Sequence, residues 1–200
     1  MEKVTKSVRL STLAQKYGHH DFVSVAENMF GELKKYGIIT PATFSVSGSR
    51  FVSSVEWIYG DNLWESKATY EFVRQSKRLY LGIAQYLVTK WLHGGWFLAD
   101  INSGAQYVYG TKDGDRAPRI YLVDTDLFLG SNRAGLCIVL EWFVRHMRGM
   151  EIQCNVDFDR ARAVLACVEK VRQLNSVRAL LSRQPFGELH NSAIPKFRTR

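Results

Sequence analysis

The sequence predicts an α+β fold whose second half is mainly helical. Three patterns carry that expectation. Residues alternate in strand fashion in "KVTKSVRL", a long stretch from Ala68 to Gly95 repeats apolar residues at helical spacing, and after Phe128 the pattern turns helical.

Taken in order, "KVTKSVRL" reads as a strand with Val4, Lys6 and Val8 on one face and Thr5 and Ser7 on the other. "HHDFVSVAENMFGELKKYG" follows as an amphipathic helix. Asp21 is placed to cap its start, apolar residues recur at Phe22, Val25, Met29 and Leu33, and Gly37 suits its end. Two strands joined by a tight Ser-Gly-Ser turn account for "ATFSVSGSRFVSSVEWIYG". The longest helix, "ATYEFVRQSKRLYLGIAQYLVTKWLHGG", is apolar at Leu79, Ile83, Tyr86, Leu87 and Trp91 and closes at Gly94-Gly95. "AQYVYG" and "RIYLVD" flank the polar loop "TKDGDRAP" and read as a hairpin. Helices are expected at 133–148, 157–174 and 176–183, with a basic tail after them.

Composition sets outer limits. The 200 residues are 46% hydrophobic and 12% aromatic, which is the make-up of a packed core and not of a disordered chain. The formal charge of +8 favours anionic partners: a nucleotide, nucleic acid, acidic lipid or phosphoprotein. No stretch has the length and continuity of a membrane span, and "AGLCIVLEWFV" contains Glu141 and reads as a buried helix. Cys137, Cys154 and Cys167 form no Cys-x-x-Cys pair, and the first residues lack the apolar run of a signal peptide. A cytoplasmic protein without a disulfide framework is the expectation. The histidines show no metal spacing, so none is assigned to a metal.

Three carboxylates sit where apolar runs end: Asp100 after "WFLA", and Asp124 and Asp126 in "YLVDTD". A carboxylate at the end of a buried strand is costly unless paired or metal-bound, which makes these positions candidates for chemistry.

Their order along the chain, with "KVTKS" before the first helix and "SSVEWIYGDNL" before the long one, resembles the protein-kinase-like phosphotransferases. The resemblance covers roughly residues 1 to 130. It implies a two-lobed fold with a reduced N-lobe at 1–60, a mainly helical C-lobe at 61–185 and a basic tail at 186–200. It also implies ATP and Mg²⁺. Lys6 would meet the phosphates and be held by Glu27 on the following helix. Glu56 and Trp57 would form the hinge beside the nucleotide, with Gly60 leading into the second lobe. Asp100 would orient the attacking hydroxyl or accept its proton, and Asp124 would hold the metal. Asp126 is either a second metal ligand or a turn former. The acceptor would be a protein hydroxyl or a sugar or lipid-sugar hydroxyl.

The chain departs from that family at three places. No G-x-G-x-x-G occurs in it. The asparagine expected five positions after the catalytic aspartate is Ala105, leaving Gln106 and Asn102 as the nearby candidates for a second metal ligand. No Ala-Pro-Glu follows Asp124. The missing Ala-Pro-Glu is more like small-molecule, sugar-lipid or highly divergent kinases, whereas the missing glycine loop and Ala105 favour an alternative, a pseudokinase that keeps the fold as an interaction scaffold. A third alternative is a basic nucleic-acid-binding protein, since "RARAVLACVEKVRQLNSVRALLSR" carries five arginines and one lysine. No nucleic-acid reader motif accompanies them.

Overall fold

The structure is a computed structural model and describes residues 2–127 and 129–173. Met1–Leu165 form one compact unit, and a second begins at Ala166. The helix expected at 176–183 and the tail at 186–200 lie outside the described residues. The fold is mixed α and β with small, mostly antiparallel sheets.

The first sheet joins β1 (Lys3–Arg9), β2 (Ala42–Ser47) and β3 (Arg50–Glu56) in the order β1-β3-β2, with both pairings antiparallel. In the register Val4 faces Val55, Lys6 faces Ser53 and Val8 faces Phe51. The alternation read from the sequence therefore puts Lys6 on the face that carries the buried Phe51, Ser53 and Val55.

Between β1 and β2 lie two helices, α1 (Leu10–Tyr17) and α2 (Phe22–Lys35). In α2 the Asp21 carboxylate accepts the amides of Val23 and Ser24, the cap the sequence predicts. Its apolar stripe, Phe22, Ala26, Met29, Phe30 and Leu33, is buried, and Phe30 stacks on Phe44 of β2. The sequence reading contains no α1. That helix has no side-chain cap at Arg9 and buries only Leu13, so neither a start signal nor a stripe marks it.

A second sheet has the order β4-β6-β7, from β4 (Tyr59–Asn62), β6 (Tyr107–Thr111) and β7 (Arg119–Leu122). The β6–β7 pair is the expected hairpin. β4 lies in the stretch read as a hinge, and its sequence, Tyr-Gly-Asp-Asn, has no apolar alternation to announce it. Its Gly60 pairs with Gly110, and a Cβ on Gly60 would lie 2.2 Å from the Tyr109 carbonyl oxygen. Close strand approach is what requires glycine there. The bridge from Ile39 to Tyr121 connects the segment before β2 to β7, and the Leu122 amide donates to the Ile39 carbonyl at 2.8 Å.

The long helix α3 (Tyr70–His93) packs on α4 (Arg133–Cys154), which runs one and a half turns further than the sequence reading placed it. Tyr80 of α3 stacks on Phe143 of α4 and on Phe158, just before α5 (Asp159–Gln173). A two-residue strand pair, β5 (Phe97–Leu98) with β8 (Leu129–Gly130), completes the described elements. Cys137, Cys154 and Cys167 form no disulfide.

Candidate functional site

The site is assembled from three separate stretches of sequence. β1 presents Lys6. The turn after β5 carries Asp100, in a loop that closes through a short 3₁₀ turn at Gly104–Gln106. The segment after β7 carries Asp124 and Asp126. The hairpin register brings the last two together: the Val123 amide donates to the Gln106 carbonyl at 2.9 Å, extending the β6–β7 ladder by one step. Gln106 Nε2 in turn donates to Asp100 Oδ2 at 3.2 Å.

Two buried tyrosines brace the Asp100 loop. Tyr107 donates to the Ile101 carbonyl at 2.8 Å, and the Tyr86 hydroxyl accepts the Leu98 amide at 3.1 Å. Gly104 lies against the Trp64 indole, where a Cβ would stand 2.6 Å from Nε1. The loop is thus held at both ends and has no room for a larger residue at its turn.

The Asp124 segment is tied to the sheet by a buried hydroxyl pair. Thr125 Oγ1 donates to Ser53 Oγ at 2.9 Å, and Ser53 is the residue directly opposite Lys6. Lys6 Nζ then lies 2.8 Å from Asp124 Oδ1 and 3.5 Å from Asp126 Oδ2. The Asp126 amide donates to the same Asp124 oxygen at 3.1 Å, so the Asp124 carboxylate closes the turn and the Asp126 side chain is a second partner of Lys6.

Electrostatics follow from this crowding. Burial, and then the negative charges of Asp124 and Asp126, push the Asp100 carboxyl up to about 7, with Lys6 acting in the opposite direction. For Lys6, partial burial works against the charged form, but the hydrogen bond and attraction of Asp124, with Asp126 behind it, leave its pKa raised. The result is a cation between two carboxylates, with a third carboxyl nearby that titrates close to neutrality.

The other residues singled out in the sequence lie elsewhere or bond differently. Lys6 pairs with Asp124 and Asp126 rather than with Glu27, which is exposed on α2. Glu32, on the same helix, reads from sequence as a wet-face residue. It is instead half-buried and paired with Lys90 of α3 at 2.5 Å. Glu56 forms an ion pair with Lys112 at 2.6 Å, tying the end of β3 to the β6–β7 loop. Trp57 is exposed, and its amide donates to the Glu2 carbonyl at 2.9 Å. Asn102 donates to the Val139 carbonyl of α4 at 3.2 Å, which directs its amide nitrogen into the fold.

Sequence reasoning missed Thr125 and Ser53. A signal existed: Phe51, Ser53 and Val55 share the buried face of β3, and a hydroxyl forced inward needs a partner.

Among the described residues no group of three or more histidine, cysteine, aspartate or glutamate side chains is arranged to hold a metal ion. Asp124 is paired with Lys6, and Asn102 and Gln106, named in the sequence as candidates for a second metal ligand, bond to the Val139 carbonyl and to Asp100. No described helix is long and apolar enough to cross a membrane. Comparison with protein-family models and with curated proteins finds no match to the chain.

Proposed function

We propose that the chain is a divergent, Mg²⁺-dependent phosphotransferase of two-lobed, protein-kinase-like architecture that moves the γ-phosphoryl group of ATP to a hydroxyl acceptor. The observation that carries the reading is the convergence of Lys6, Asp100 and Asp124, from stretches far apart in sequence, around one point. The sheet order β1-β3-β2 with α2 between β1 and β2 also supports it, as does the hairpin that sets Asp124 beside the Asp100 loop.

In this reading Lys6 offers a point charge to phosphate oxygens and is held in place by its carboxylate partners. Asp124 is the residue that would hold Mg²⁺, which supplies counter-charge to the phosphates. Asp100 orients the acceptor hydroxyl and takes its proton as the bond to phosphorus forms. A carboxyl titrating at about 7 is matched to that task, because it is ionised in part at neutral pH and returns the proton readily. Gln106 and the Tyr107-braced backbone keep Asp100 in one orientation.

Transfer or hydrolysis of γ-labelled ATP tests the reading. Release of labelled phosphate should rise with pH through about 7 and be lost in Asp100→Asn, while that variant keeps its fold. Turnover unchanged in Asp100→Asn would remove Asp100 from the mechanism.

A second reading shares the fold but not the turnover. It is favoured by Ala105 where a second metal ligand is expected, and it predicts nucleotide binding without phosphate release.

A further inference from the structure

Among the described residues the first sheet ends in an open edge. In the order β1-β3-β2, β1 is terminal, and six of its seven residues are exposed. The register shows which backbone groups are free. The Trp57 amide donates to the Glu2 carbonyl and the Leu10 amide to the Ser49 carbonyl, each at 2.9 Å. Those contacts place the even-numbered residues of β1 in hydrogen-bonded pairs with β3, so Lys3, Thr5 and Ser7 turn their amides and carbonyls outward. Arg50 reaches across from β3 and occupies one of these groups, the Ser7 carbonyl, at 3.2 Å. Among the described residues, the amides of Lys3, Thr5 and Ser7 and the carbonyls of Lys3 and Thr5 make up an unfilled half-ladder.

The side chains around that edge are selective. On the outer face Lys3, Arg9 and Arg50 surround the hydroxyls of Thr5 and Ser7, and the nearest acid, Glu56, is already paired with Lys112. On the inner face Val4 is 41% exposed beside Lys6. Antiparallel pairing of β1 with a second copy of itself would set Lys3 against Arg9, a like-charge contact that opposes association. The same cations attract an acidic strand.

We propose that the β1 edge is a strand-addition site for an extended segment of a partner protein. That segment would alternate acidic residues, facing Lys3 and Arg9, with aliphatic residues facing Val4 and Val8, and carry a small residue opposite Lys6. Main-chain hydrogen bonds to Lys3, Thr5 and Ser7 supply the binding, and the charge pattern supplies the choice of partner. The added strand makes the sheet four-stranded and lies beside Lys6. The inference does not depend on whether the chain transfers phosphate.

The probe is a fluorescein-labelled peptide, Glu-Val-Glu-Ser-Glu-Val-Glu, titrated with the full chain by fluorescence anisotropy. Its control is Lys-Val-Lys-Ser-Lys-Val-Lys. The acidic peptide should bind saturably and more weakly as salt rises, and the basic one should not. Thr5→Pro removes an outward amide that β3 does not use, and proline is tolerated at such an edge position. It should abolish binding while the melting temperature changes little. Should Thr5→Pro fail to fold, the double variant Lys3→Glu with Arg9→Glu carries the test, and it should exchange the preference of the two peptides. Amide exchange provides an independent readout: Thr5 and Ser7 should gain protection on binding, while Val4 and Lys6 are protected already. Equal binding of the two peptides, or undiminished binding by Thr5→Pro, would overturn the proposal. So would a dimer in light scattering that Thr5→Pro dissociates, since the occupant would then be a second copy.

Discussion

The β1-β3-β2 sheet and the α3–α4 pair are built on opposite plans. In the sheet, only Phe51, Ser53 and Val55 of β3 are buried, β1 is almost wholly exposed, and apolar contacts such as Phe44 with Phe51 alternate with polar ones such as Thr5 with Ser54 at 3.1 Å. In the helices, Phe72, Tyr80, Ile83 and Tyr86 of α3 and Leu140, Phe143 and Met147 of α4 are buried, and Tyr80 stacks on Phe143. The first buries few of its own side chains and relies on ladders, hydroxyls, ion pairs and the Phe30–Phe44–Phe51 stack, whereas the second buries a long apolar stripe on each helix. Stability is therefore concentrated away from the sheet, and the sheet is free to carry Lys6 and an open edge. The candidate site is made where the two plans meet, with the lysine from the sheet and the carboxylates from the loops between the helices.

This comparison can be broken most forcefully in the helices. Phe143→Ala removes a fully buried ring stacked on Tyr80, and chemical denaturation should show a loss of roughly 3–5 kcal/mol. Val46→Ala in β2, at a side chain 50% exposed, should change stability by less than about 0.5 kcal/mol. Comparable losses in the two variants would erase the contrast.

A medium effect is expected at the hydroxyl pair that ties the Asp124 segment to the sheet. Thr125→Val leaves the buried Ser53 hydroxyl without its partner and should destabilise by roughly 1–3 kcal/mol. Adding Ser53→Ala should recover part of that loss, because no unpaired hydroxyl then remains. A double variant no better than the single one would mean the pair acts through packing alone.

The pH dependence sharpens the comparison further. Asp100 has a folded-state pKa raised to about 7, above its ordinary carboxylate value. A raised carboxyl gives the folded state its advantage when protonated, and that advantage is lost as pH rises through the folded-state value. Asp100→Asn should therefore raise the melting temperature relative to the parent above about pH 7, with the gain shrinking as pH falls toward the ordinary carboxylate range. A gain independent of pH would show that Asp100 is not the titrating group.

The smallest stability effect belongs to Lys6. Its partners are partly exposed, so Lys6→Met should cost less than about 1 kcal/mol. The same substitution removes a nearby charge that favours the ionised Asp100, and carboxyl-carbon NMR should show the Asp100 midpoint moving upward.

What the sequence revealed, and what it concealed, follows from the range of each interaction. The strand carrying Lys6 and the cap and apolar stripe of α2 are local patterns and were legible. α1 and β4 were not, because one lacks a cap and a stripe and the other exists only by pairing with β6. Asp100 and Asp124 stood out as carboxylates ending apolar runs, and their mutual proximity depends on the hairpin register that joins Val123 to Gln106. The partners of Glu56 and Glu32, Lys112 and Lys90, lie 56 and 58 positions away, beyond any local pattern. For Lys6 the nearer acid in sequence, Glu27, was the wrong guide, because the Thr125–Ser53 pair sets Asp124 directly under the lysine.

The account stands or falls on whether Lys6, Asp100 and Asp124 form a nucleotide site. A thermal-shift titration with ATP, with and without Mg²⁺, on the parent chain and on Asp124→Asn addresses this most directly. The account predicts a rise in melting temperature that needs both ATP and Mg²⁺ and disappears in Asp124→Asn, since a ligand that binds only the folded state stabilises it in proportion to its occupancy. A folded parent chain that shows no shift at saturating Mg-ATP, or an equal shift in Asp124→Asn, would contradict it.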